Sequence, residues 1–178
     1  MAWKSSASRY GSVAITLHWV SAAAILAMFP LGFLAANTAD PNIEATLLRV
    51  HVPLGVLVLV LTVARLAWWL FDRRPGQLLG MPRWQELVER LVRALLYVVL
   101  IVMGSSGIAV IALSGAAAVL FFGATAPLPN FWGYVPMTAH FLGAFFLLGL
   151  AGLHIAAALV HQFHKRDRLL ARMGIGPA

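Results

Sequence analysis

Four stretches of the chain lack the regular alternation of apolar and polar positions that a water-facing surface imposes. They cover positions 13–36, 50–71, 91–113 and 138–163. Each is too long for one strand, and lipid offers no partner to an unpaired backbone group, so each is expected to be a helix. A span takes roughly 20 residues, so 178 residues suit four spans with short connections. The pattern predicts an all-α integral membrane protein, a four-helix bundle forming one domain over 1–178. No internal repeat stands out.

Composition sharpens this. Apolar residues make up 61% and charged residues 11%, against about 45–50% and 25% in soluble domains. Mean hydropathy is +0.87. With no cysteine, disulfides, thiolate metal sites, iron–sulfur clusters and covalent c-type haem are excluded.

The net charge of +7 reports topology rather than a nucleic-acid partner. Lys4 and Arg9, then Arg73, Arg74, Arg83, Arg90 and Arg93, then Lys165, Arg166, Arg168 and Arg172 fall in segments on one side, against Arg49 alone on the other. By the positive-inside rule, both termini are expected in the cytoplasm. The basic start and the small residues near Ala35 and Ala36 imitate a signal peptide. A signal's apolar core is only 7–15 residues, so a retained span is expected. The connection 114–137 has no Lys, Arg, Asp or Glu but carries Phe131, Trp132 and Tyr134. It is expected on the outer interface or folded back over the bundle.

Acidic residues are scarce inside the spans, so a hydrolytic triad has no acid member. Histidines remain. His18 lies near the inner end of the first span, His51 at the outer end of the second and His140 at the outer end of the fourth. His154 is 14 residues beyond His140. That is roughly 21 Å along a helix and within about 40° of the same face. Depth pairs His18 with His154 and His51 with His140. Each histidine alone also suits an interhelical hydrogen bond, but four at two matched depths point to function. Zinc would need a third protein ligand. Haem iron needs only two axial groups, and two imidazoles fit non-covalent b haem.

Gly55, Gly143, Gly152, Gly104 and Gly107, with Ser105 and Ser106, suit either ordinary helix packing or room for a flat macrocycle. Arg65, 14 residues after His51, suits headgroups, a haem propionate or a quinone oxygen. His161 suits a quinone contact, since quinone reduction needs a proton donor, and Lys165 is a second candidate there.

Arg9-Tyr10-Gly11, Thr16-Leu17-His18-Trp19, His51-Val52-Pro53-Leu54-Gly55, His140-Phe141-Leu142-Gly143 and Gly152-Leu153-His154 through His161, Lys165 and Asp167 together resemble the bacterial cytochrome b561 family over nearly the whole chain. The resemblance implies a bacterial inner-membrane protein with two b haems, the inner held by His18 and His154, the outer by His51 and His140. It further implies an oxidoreductase that takes electrons from superoxide outside and passes them to ubiquinone near His161. The outer connections carry Asp40, Glu44 and Arg49, a net negative charge that does not steer an anion. An electron carrier serving a periplasmic or membrane partner protein is the alternative. A non-haem histidine bundle moving a metal or proton is a third class. Membrane lipid and quinone are the other expected contacts.

Overall fold

The protein is described by a computed structural model that covers residues 2–73, 75–76 and 81–176; Arg74, among the basic residues above, lies outside them. Among these residues four helices are long and apolar enough to cross a membrane: α1 (Ser12–Asn37), α2 (Pro41–Trp68), α3 (Arg83–Ser114) and α5 (Val135–Leu159), the last continued by a π turn, Val160–His164. Short α4 (Ala116–Phe121) and a 3₁₀ turn (Phe131–Gly133) lie between α3 and α5, and α6 (Leu169–Arg172) closes the chain. Among the described residues there is no strand.

Two helices begin well before their apolar runs. Asp40 starts α2 early because its carboxylate accepts from the Asn42 amide at 2.8 Å and Pro41 takes the first helical position. Polar turns also precede the apolar part of α3, where Glu86 pairs with Arg90 and Glu89 with Arg93. Hydropathy detects only the part of a helix that sits in lipid. α3 stops at Gly115, whose φ of 71° is the left-handed conformation that glycine adopts without steric cost.

α1 packs on α2, α3 on α5, and α2 on α3. Each span gives one residue to the central cluster: Ala24, Val58, Leu100 and Leu147. The outward faces are apolar and exposed, as at Leu26, Val60, Val98 and Phe146, which suits lipid. A second cluster, Ala45, Ala116 and Leu120, folds the 114–137 connection back over the start of α2. Arg49 Nε donates to the Leu120 carbonyl there at 2.8 Å.

At the opposite end the N-terminal segment, the α2–α3 connection and the C-terminal segment are clasped together. Ser5 donates to Asp72 from its amide (2.9 Å) and its hydroxyl (2.6 Å), and the Trp68 indole donates at 3.0 Å. Slight burial would raise the Asp72 carboxyl, but these donors to its charged form hold it below the usual carboxylate range. Arg172 donates to the Ser8 and Gly76 carbonyls, and the Trp19 indole to Met173. The basic segments are therefore neighbours at one end of the bundle.

Candidate functional site

The two histidine pairs join helices that are not otherwise packed on each other. His18 is on α1 and His154 on α5; His51 is on α2 and His140 on α5. Among the described residues neither α1 nor α2 is close-packed against α5. The ring centroids stand 6.3 Å apart in the His18–His154 pair and 6.2 Å apart in the His51–His140 pair, with interplanar angles of 63° and 75°. That is too far for a direct imidazole–imidazole hydrogen bond. Two in-line metal–nitrogen bonds of about 2 Å, plus roughly one ångström from each nitrogen to its ring centre, put the centroids roughly 6 Å apart. Both pairs therefore have the span of a bis-imidazole site.

The outer pair is the more enclosed. A cavity of about 530 Å³ adjoins it, lined by His51 and His140 with Phe29, Gly104, Ile108 and Leu148 among others. Its volume lies within the 300–1,000 Å³ usual for cofactor sites. His140 Nδ1 lies 3.0 Å from the Met103 carbonyl. A carbonyl only accepts, so the proton is on Nδ1 and Nε2 keeps its lone pair for a metal, the usual arrangement of a ligating histidine. His51 Nδ1 is buried without a hydrogen bond of regular geometry, with Met28 on α1 as the neighbouring backbone acceptor.

Glycine backs both outer rings. A Cβ on Gly107 would stand 3.0 Å from His140 Cε1, and one on Gly32 only 2.9 Å from His51 Cε1. Gly32 was not singled out from the sequence. Its signal was there: it lies 14 residues after His18, one face and one depth along α1. The other small residues do different work. A Cβ on Gly143 would meet Met103 Sδ at 2.6 Å, one on Gly104 would meet Leu59, and one on Gly55 would meet Met28. These three let helices approach. Gly152 opens on free space.

The inner pair sits beside charge. Arg65 Nη2 is 3.2 Å from His18 Nδ1, and its guanidinium lies 5.4 Å from the Tyr97 ring centre. A guanidinium only donates, so His18 accepts at Nδ1 in this arrangement.

Beyond α5 the helical register changes. The π turn carries His161 to Asp167, Nδ1 to Oδ2 at 2.6 Å. Lys165 is turned away to Gln85 on α3, Nζ to Oε1 at 2.8 Å. An α-helical extension would have set Lys165 one turn from His161, and the wider turn removes that register. Asp167 was noted only within the resemblance; a carboxylate six residues past a histidine, beyond a helix end, gave no independent signal.

Among the described residues, no three of His, Asp and Glu converge to hold a metal ion. The imidazoles come in twos, on four-helix scaffolding, between helices that are not closely packed on each other: the arrangement of a transmembrane cytochrome that buries its cofactor between spans. Residues 9–176 match the prokaryotic cytochrome b561 family, and the chain belongs to it. It is thus a multi-pass bacterial membrane protein of a haem b electron-transfer family. It is similar to cytochrome b561 homolog 2 of Escherichia coli (strain K12), with 26% identity over 178 residues, 97% of this chain and 95% of that protein.

Proposed function

We propose that the chain, as one cytochrome domain over 1–178, holds two non-covalent b haems and conducts electrons from the outer face of the bacterial inner membrane to ubiquinone at the inner face, with superoxide as donor. The observation that carries the reading is the pair of imidazole–imidazole separations, 6.2 and 6.3 Å, at two depths. His18 and His154 serve the inner haem, His51 and His140 the outer. Haem b, when bound, supplies a one-electron iron couple, and two imidazoles leave no open position for oxygen.

The protein's own residues do the rest. The Met103 carbonyl fixes the His140 tautomer. Ala24, Val58, Leu100 and Leu147 keep water out between the two sites. With a metal on His18 Nε2, the ring proton belongs on Nδ1. Arg65 must then find another acceptor, and a haem propionate or a quinone oxygen is suitable. At the inner end Asp167 holds the Nδ1 proton of His161, so Nε2 donates to a quinone oxygen when the ring carries its second proton, which is then replaced from water. Lys165 serves the quinone only if it leaves Gln85. The clustering of the basic segments at one end of the bundle supports a topology with both termini in the cytoplasm.

A second reading has its own support. Asp40 and Glu44 outnumber Arg49 at the outer end, and Arg49 is engaged with Leu120. That surface suits a basic partner protein better than an anion, and would make the chain a carrier without superoxide activity.

Haem extraction from purified protein tests the main reading. Two haems per chain are expected, falling to one in His51→Ala or His18→Ala; none in the wild type overturns it. Superoxide-driven quinone reduction by the purified chain alone then separates the two donors.

A further inference from the structure

α2 carries opposite charges at its two ends, on the face that bears His51. Glu44 is seven residues before His51, and Arg65 is 14 after it. Steps of seven and 14 residues return within about 20° and 40° of the same face. Val58, midway, is buried in the central cluster, which places this face toward the bundle axis. Among the described residues, Glu44 is the only Asp, Glu, Lys or Arg lining the outer cavity. Arg65 reaches His18 of the inner pair and has no carboxylate partner among the described residues. Arg93 also acts on the inner end, but it is paired with Glu89 one turn away. At the outer end Asp40 and Glu44 outnumber Arg49, whose Nε is turned to the Leu120 carbonyl, so the net fixed charge is negative at the outer pair and positive at the inner pair.

Helix dipoles do not supply this asymmetry. α2 and α5 run inward while α1 and α3 run outward, so their dipoles oppose. Side-chain charge is what distinguishes the ends, and Glu44 and Arg65 are its members on the His51 face of α2.

On the di-haem reading above, we infer that Glu44 and Arg65 set the direction of electron flow. A positive charge favours the reduced form of a nearby iron, and a negative charge favours the oxidised form. One electron therefore leaves the outer site, which is oxidised, for the inner site, which is reduced; no bond is made and no proton moves. Arg65 is in this view a positioning charge, whether or not it also meets a propionate, since the low dielectric between helices preserves its field.

Spectroelectrochemical titration of the haem-loaded full chain reads this without any turnover. The wild type should show two one-electron components, the lower belonging to the site that is lost in His51→Ala. Glu44→Gln should raise that outer midpoint and Arg65→Gln should lower the inner one. Each shift should be on the order of tenfold in the electron-sharing equilibrium, about 59 mV for one electron. Unmoved midpoints, or shifts of the opposite sign, overturn the proposal. If Arg65→Gln fails to load the inner site, Glu44→Gln decides alone, because Glu44 lies in the first turn of α2 and ligates nothing. A wild type with a single component would instead defeat the two-haem reading, and would show this before any variant is made.

Discussion

The side chains at the outer pair show how little space separates a ligand from its support. Gly32 and Gly107 come from helices that carry no outer histidine, and each lies against one outer ring. Both belong to a 14-residue step that all four spans share: His18 with Gly32, His51 with Arg65, Arg93 with Gly107, His140 with His154. Such a step keeps face and crosses roughly 21 Å. The histidine members were legible in the sequence because an ionisable group in lipid declares itself. Gly32 was not, because a missing side chain has no polarity to notice. Gly107→Val should therefore push the His140 ring from its place while sparing the inner pair. The expected result in absorbance and haem extraction is loss of most outer haem, with the inner haem retained. A variant that keeps both at wild-type occupancy would mean that the ring does not need this glycine.

Among the elements, the turn after α5 departs furthest from what periodicity foresees. Hydropathy extends α5 smoothly to Phe163, yet the backbone widens to a π turn over Val160–His164. Arg166 and Arg168 then take φ of 56° and 55°, left-handed values that cost a residue with a Cβ roughly 1–3 kcal/mol each. Between them sits Asp167, whose amide donates to the His161 carbonyl and whose carboxylate meets the ring. Nothing in an apolar count separates π from α, so the sequence does not show that the turn carries Lys165 to Gln85. The other three spans are α-helical from end to end. A strained segment that closes a His–Asp contact suits a proton donor held in one orientation. His161→Ala should leave both haem spectra intact and slow reoxidation of the haems by a soluble quinone about a hundredfold, the lower end of what general acids contribute. Stopped-flow absorbance measures it, and equal rates in variant and wild type would move the quinone elsewhere.

For the whole molecule, the spans build three layers: an outer layer with Gly32, His51, Gly107 and His140, an apolar middle, and an inner layer with His18, Arg65, Arg93 and His154. The middle layer holds Val58, Leu100 and Leu147, each seven residues from both members of its helix's step. The charge bias on α2 matters at this scale because the proposed topology sends electrons toward the negative side of an energised membrane. The layers are separated by roughly 21 Å, about two thirds of a hydrocarbon core of about 30 Å. Moving one charge across the full span costs about 2.3 kcal/mol per 100 mV, so this step costs about 1.5 kcal/mol. That is roughly tenfold in the equilibrium between the two haems, a bias comparable to the one assigned to either Glu44 or Arg65 alone. In proteoliposomes poised with half of the haem reduced, a potassium diffusion potential of 100 mV, negative on the side of the clasped termini, should move electron density from the inner to the outer haem by about that factor. Reversing the potential should reverse the shift. Absorbance in the haem bands follows both, and an equilibrium indifferent to the potential would mean that the two pairs do not lie at different depths in the membrane.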